Sequence, residues 1–417
     1  MSSQQGIADS DVLDGLSIRY LKFFGLWSVI NEYRTTGKRN GIIKLKLFIT
    51  LLLSIPYIFS QYLSYFIIEV DLQKATFLNL HSLPALQICS KVLVFWFRID
   101  NVCKLYNLIR KDFLSLPEHK RDGAKCIYMK ITKTSNMLCK AAFIVNSSIV
   151  ALYVMQPGIS VDYILHHTGN MAAVKGGRQK IMHGWYPLPI DRSPYYEAIF
   201  VYETMLIIWD GILLAVYDSL FYQLLMCLYA QFTVLGFHLS TLKIVASQDP
   251  NSRLNDSNSP IYRELYKIIK DHKKLISYAN ELRSIYNPLV TIILGMGIFV
   301  LIIAVFQFLF GGTRSPLFIF RSLLFLVYQG IEVSMFCFGS SSIEKASSDL
   351  QFAIYSSDWY KADIKFRKTA QMMMMRARKG VTLTALRMYP VNVETIMSIL
   401  QFTYSVTALM SRKAEIK

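Results

Sequence analysis

Long apolar stretches with almost no charge recur along this chain, and they constrain its fold more than any other feature. The cleanest runs from Ser284 to Phe310 without a single charged side chain. A helix needs about 20 such residues to cross the roughly 30 Å of hydrocarbon in a bilayer. Inside lipid only helices and closed barrels satisfy their own backbone polar groups. Only 18% of the 417 residues are charged and mean hydropathy is +0.33, whereas a soluble domain carries about 25% charged residues. The sequence therefore predicts an all-α, polytopic membrane protein.

Gaps between charges place seven transmembrane helices. They cover Leu47 to Ile68, Ala75 to Phe97, Thr134 to Met155, a stretch from Tyr195 past Cys227, Ser284 to Phe310, Pro316 to Ile343, and Val391 to Met410. Lys91 lies close enough to the end of the second span for its ammonium to snorkel. The fourth span is longer than a bilayer is thick and should project beyond it. Lys and Arg crowd the N-terminal segment and the connections between spans two and three, four and five, and six and seven, and are sparse in the others. The positive-inside rule then puts the N-terminus in the cytoplasm and the C-terminus outside. The expected organisation is a cytoplasmic N-terminal segment 1–46, the first four spans over 47–230, and a cytoplasmic extension and loop over 231–283. Spans five and six follow over 284–343, a cytoplasmic anchor segment over 344–390, and the seventh span with its tail over 391–417.

That layout explains the net charge of +17 without nucleic acid. The six cysteines form no paired framework, which speaks against a disulfide-stapled ectodomain. The one early apolar run, Leu21 to Ile30, is short and has no small-residue cleavage site, so the N-terminus is expected to be retained. Sequons at Asn146 and Asn255 fall within span three and in a cytoplasmic loop, where neither would be glycosylated. The stretch Ser247 to Pro260, rich in Asn, Ser, Asp and Pro, reads as disordered. His166, His167 and His183 share an outer loop but fit no standard zinc spacing, and Lys175 to Arg178 is Gly-rich without the strand and helix of a phosphate loop. No nucleophile–base arrangement suggests an enzyme, and no cofactor or metal is expected. A G-protein-coupled receptor is disfavoured by the inverted topology and by Asn287-Pro288 lacking the tyrosine of the NPxxY signature.

The most informative stretch runs from Cys337 to the C-terminus. It carries a Cys-aromatic-Gly step at Cys337, Phe338 and Gly339, then Glu344 with Ser347 or Ser348, then Ala353, Tyr355 and Trp359. A basic patch follows at Arg376, Arg378 and Lys379, and a closing Thr403-Tyr404-Ser405. This order and spacing resembles the C-terminal signature of insect odorant receptors. The N-terminal LKFFGLW and the Trp185-Tyr186-Pro187 step are similar to that family too, while Val406 and Gly380 depart from its usual residues. The resemblance implies an odorant-gated, nonselective cation channel. Its subunits assemble as heterotetramers with a shared co-receptor in the plasma membrane of olfactory sensory neurons, bind a small volatile odorant or pheromone in the outer half of the helical bundle, and line a central pore with the seventh helix. The short connection between spans four and five implies the ligand-selective tuning subunit, since the co-receptor is longer there. A gustatory-type channel that needs no co-receptor and a secondary transporter are the alternatives; the paired interrupted helices and internal repeat of a transporter are not seen.

Candidate residues follow. The seventh span is short and amphipathic, and a basic helix at about Ile364 to Lys379 precedes it. An i, i+4 face through Thr403, Thr407 and Ser411 would turn hydroxyls to a pore, with Val406 and Met410 beside it as a hydrophobic gate; the same stripe would equally pack on span five or six. Glu394, assigned to the outer end of that span, would attract cations at a vestibule. Glu203 and Asp210, seven apart on span four, and Glu332 on span six are intramembrane acids, costly unless paired or functional. Outer-half positions for the ligand are Phe77, His81, Ser147, Val150, Tyr153, Tyr202, Met205, Phe320 and Leu324. Each of these is equally at home in the core. His81 and Ser147 stand out as hydrogen-bonding groups in an otherwise apolar bundle.

Overall fold

The computed structural model describes residues 41–67, 72–111, 118–159, 181–182, 184–189, 192–242, 260–310 and 316–415, together with Arg19. Six long helices come first: α1 (Gly41–Ile67), α2 (Leu72–Lys111), α3 (Glu118–Ile159), α4 (Tyr195–Ser240), α5 (Pro260–Phe310) and α6 (Pro316–Tyr355). A 3-10 turn at Trp359–Lys361 leads to α7 (Ile364–Arg378), then to a two-stranded antiparallel hairpin, β1 (Thr384–Ala385) and β2 (Tyr389–Pro390), and finally to α8 (Val393–Glu415). Among the described residues five helices are long and apolar enough to cross a membrane, and α1 contributes a shorter apolar stretch, Leu51–Ile67.

The apolar runs of the sequence lie inside these helices, but the helices extend well past them. The second span was expected to end at Phe97, yet α2 continues to Lys111; the third was expected from Thr134, yet α3 starts at Glu118. Such extensions are polar and carry no hydropathy signal. With 46 residues, α4 reaches roughly 69 Å at 1.5 Å per residue, about twice the hydrocarbon thickness. The projection expected of it is present.

Helices α4 and α6 form the centre, with α3 packed on both and α2 against α5. From Leu213 to Met226 every residue of α4 is buried, as expected of a helix enclosed by others on all sides. Close approach of α4 to α6 depends on Gly339, where a Cβ would stand 2.8 Å from Leu225 Cδ1. Lipid gives helices no hydrophobic reason to associate, so small residues at crossings are a main source of packing there. This is the glycine of the Cys337-Phe338-Gly339 step.

Beyond α6, Asp363 caps α7 by accepting from the amides of Phe366 and Lys365, and Tyr262 at the start of α5 donates to the same carboxylate at 2.6 Å. The anchor segment is thereby tied to the projecting end of α5. Helix α8 then packs on α5 and α6, and its first turn is fixed where the amide of Val393 donates to Ser341 Oγ at 3.0 Å. Expectations on His166, His167, His183, Lys175 to Arg178, Asn255 and the Ser247 to Pro260 loop fall outside the described residues, apart from the terminal helical Pro260.

Candidate functional site

The N-terminal halves of α2, α4 and α6 and the C-terminal half of α3 lie at the same end of the bundle, and between them is a cavity of about 110 Å³. Its apolar wall comes from Leu80, Ile88, Ile149, Val150, Ile207 and Leu214, and its aromatic wall from Tyr57, Tyr153, Phe325 and Tyr328. Polar groups reach it from Gln87, Asn146, Asp210, Gln329 and Glu332. A mostly apolar chamber with a few placed polar groups is the usual form of a small-molecule site.

One side of the chamber is an ion cluster. Lys91 is wholly buried, and its Nζ lies 2.6 Å from both Asp218 Oδ1 and Glu332 Oε1. Gln87 and Gln329 donate to the two oxygens of Glu332 at 2.7 and 2.8 Å, and Tyr328 donates to Asp218 at 3.3 Å. The snorkelling expected of Lys91 does not occur. Its ammonium is held within the bundle because two carboxylates from α4 and α6 meet it there, and a charge so paired has no need to reach water.

Glu203 and Asp210 have different surroundings. Glu203 accepts from the Met182 amide at 3.1 Å and from Tyr186 Oη at 2.9 Å. Trp185 in the same segment donates its amide to Ser64 Oγ at 2.9 Å. Met182 and Tyr186 are thus tied to α4 and Trp185 to α1, and Met182 closes part of the cavity. Asp210 lines the cavity and is buried, and the hydrogen bond it receives, from Ser54 Oγ, is long at 3.4 Å. Nearby, Tyr57 is fully buried and its Oη has no hydrogen-bond partner among the described residues.

Of the sequence candidates, Val150 and Tyr153 line this cavity, and Leu324 packs against the core beside Phe325. Tyr202 is outside it, its hydroxyl donating to the Leu53 carbonyl at 2.6 Å and joining α4 to α1. Ser147, Met205 (67% exposed) and Phe320 (52% exposed) point away from the bundle. The side chains of Phe77 and His81 fall outside the described residues. Asn146, not Ser147, faces inward and donates to the Gly211 carbonyl at 2.7 Å; one residue along a helix turns a side chain by about 100°. Tyr57, Gln87, Asp210, Tyr328 and Gln329 were missed as ligand candidates. The i, i+4, i+7, i+8 and i+11 spacing of Leu80, Pro84, Gln87, Ile88 and Lys91 was the available signal on α2.

Helix α8 likewise differs from expectation in the face it presents. Thr403 and Thr407 are buried against their own subunit, with Thr407 Oγ1 donating to the Thr403 carbonyl, and Val406 and Met410 are partly buried. The Ser411 side chain lies outside the described residues. The exposed polar stripe is instead Glu394, Ser398, Gln401 and Ser405, at i, i+4, i+7 and i+11. Glu394 sits in the first turn, at the anchor end, because α8 follows the anchor segment directly; under the expected topology that end is cytoplasmic, not outer.

The profile described as 7tm Odorant receptor matches residues 82–404. The chain belongs to the 7tm odorant receptor family. It is 25% identical to Odorant receptor 10 of Aedes albopictus over 244 residues, 57% of this chain and 61% of that one. It is also 25% identical to Odorant receptor 24a of Drosophila melanogaster over 338 residues, 76% and 77% of the two chains. The chain thus spans about six-tenths of the mosquito relative and three-quarters of the fly one. In fold, the receptor superimposes on the insect olfactory receptor OR5 from Machilis hrabei in complex with eugenol, with a TM-score of 0.70 at 17% identity, covering 87% of this chain and 88% of that one. The resemblance carried by the C-terminal residues is therefore borne out at the level of family and fold.

Proposed function

We propose that this receptor is the ligand-selective subunit of a heteromeric, odorant-gated, nonselective cation channel. It assembles with a shared co-receptor in the plasma membrane of olfactory sensory neurons, with seven spans, the N-terminus cytoplasmic and the C-terminus extracellular. A small volatile odorant or pheromone occupies the cavity among α2, α3, α4 and α6, and α8 lines the pore. The observation that carries this reading is the pairing of a mostly apolar cavity between helices with a separate amphipathic helix whose polar stripe, Glu394, Ser398, Gln401 and Ser405, is left exposed by the described residues.

Helix α6 connects the two. It presents Gln329 and Glu332 to the chamber and, farther along, holds the first turn of α8 through Ser341. A ligand that fits one position of α6 better than another shifts the balance between them by that difference in affinity, and α8 moves with it. The small chamber favours compact ligands, and Asp210 and Tyr57 favour those with a hydrogen-bonding group.

Voltage-clamp recording from cells expressing the receptor with and without the co-receptor, over a broad panel of volatiles, tests this. Cation current confined to the co-expressing cells is the expected result. Current from the receptor alone would replace this reading with a self-sufficient, gustatory-type channel. Substrate uptake without conductance would replace it with a transporter.

A further inference from the structure

A second cavity, of about 1240 Å³, opens where α2, α5, the end of α7 and the hairpin β1–β2 meet. Arg98, Arg283, Arg376, Lys379 and Arg387 all line it, with no Asp or Glu among its lining residues. Among the described residues none of the five makes an ion pair. Arg283 donates to the Thr382 carbonyl at 2.6 and 3.0 Å and Arg376 to the Lys379 carbonyl at 3.2 Å, so both are held in place by neutral acceptors. Arg98 and Arg387 are exposed.

The height of this basin is fixed by the sequence. Arg98 directly follows the apolar run of α2, and Ser284, also in the lining, opens the charge-free run of α5. Two apolar segments therefore end at its rim, which places it where hydrocarbon gives way to headgroups. Like charges gathered in a concave site repel one another and raise the local concentration of anions. Arginine forks match phosphate oxygens in bidentate geometry, and basic pockets between membrane helices suit phosphorylated headgroups. A monovalent ion neither fills such a volume nor balances five cations. A ring bearing several phosphates does both.

We propose that this basin binds an inositol polyphosphate group, either as the headgroup of a phosphoinositide or as a soluble inositol phosphate. Its occupant would bridge α5 to the end of α7 and to the hairpin, whose Leu386 amide already donates to Thr291 Oγ1 on α5 at 2.8 Å. Since the hairpin leads directly into α8, the bound phosphates would stiffen the base of that helix.

The test is thermophoretic binding to the purified full chain of three probes: dioctanoyl phosphatidylinositol bisphosphate, inositol trisphosphate and dioctanoyl phosphatidylcholine. The double variant Arg98→Gln/Arg387→Gln should weaken the phosphoinositide or the inositol phosphate by about tenfold or more, with binding that also weakens as salt rises. Both side chains are exposed, and matching melting curves confirm that the variant is folded. The double variant Lys361→Gln/Lys368→Gln, both side chains exposed and outside the basin, serves as the charge-matched control and should bind as the parent does. About tenfold tighter binding of the lipid than of the free headgroup identifies a membrane-borne ligand, and equal affinities identify a soluble one. The proposal is overturned if neither phosphorylated probe binds better than phosphatidylcholine, or if the folded double variant binds undiminished.

Discussion

Lys91 on α2 joins Asp218 on α4 to Glu332 on α6 through one buried ammonium, 2.6 Å from each carboxylate. Two negative charges share a single cation, and Gln87, Gln329 and Tyr328 donate to the carboxylate oxygens as well. The cluster ties three helices together at one height and gives the cavity a polar boundary.

Removing the cation alone should therefore be costly. Lys91→Met leaves two carboxylates buried side by side, and breaking a buried pair in this way destabilises by about 3–5 kcal/mol. A sharply lower melting temperature in scanning fluorimetry and reduced surface expression are expected. The triple variant Lys91→Met/Asp218→Asn/Glu332→Gln removes the charges together and should recover most of the loss. A triple variant no more stable than the single one would show that packing of the lysine stem, not charge, holds the helices.

Tyr57 and Asp210, both in the cavity lining, allow the proposed ligand recognition to be tested apart from stability. Because Tyr57 Oη has no partner among the described residues, Tyr57→Phe relieves an unsatisfied polar group and should leave stability unchanged or raise it by about 1 kcal/mol. Asp210→Asn should raise the half-maximal concentration of alcohols and amines by about tenfold, the loss of one charge-assisted hydrogen bond. Responses to hydrocarbons of the same shape should not change. Dose–response recordings on matched alcohol, amine and hydrocarbon series measure this, and a uniform shift across all three would remove Asp210 from recognition.

What could be read from the sequence and what could not divide along a physical line. The apolar runs were legible because a bilayer imposes length and hydropathy on each helix separately, as from Ser284 to Phe310. The family was legible at Cys337 to Gly339, where the glycine answers to a close contact with α4. Lys91 was misread because its partners are 127 and 241 residues away, and distance to the end of a span says nothing of them. Ser147 and the Thr403 and Thr407 face were chosen by chemistry on helices with polar groups on more than one side. Which side turns inward is decided by packing, and period alone does not supply that.

The crossing of α3 and α4 beside the chamber depends on Gly211. A Cβ there would stand 2.7 Å from Val150 Cγ2 and 3.4 Å from Asn146 Nδ2. Gly211→Ala should cost about 1–3 kcal/mol by overpacking and weaken every ligand, since Val150 and Asn146 both line the cavity. Gly295→Ala on α5 is the control, because a Cβ at that position meets nothing within 4 Å among the described residues. It should be neutral or stabilising by about 1 kcal/mol, the helix-propensity difference between the two residues. Thermal melts of the two variants in the same detergent make the comparison.

The proposal that α8 lines a pore is open to a direct chemical test in cells co-expressing the co-receptor. Glu394, Ser398, Gln401 and Ser405 recur on one exposed stripe, whereas Thr403 and Thr407 are 5% and 4% exposed against their own subunit. A thiol reagent reacts only with a cysteine that water reaches. Gln401→Cys and Ser405→Cys should therefore lose odorant-evoked current irreversibly on exposure to a charged methanethiosulfonate, faster in the presence of odorant than in its absence if opening widens the path. Thr403→Cys and Thr407→Cys should be insensitive to the same reagent. Block at the threonines with none at Gln401 or Ser405 would mean that α8 turns by about half a revolution on assembly, exchanging the bundle-facing stripe for the exposed one.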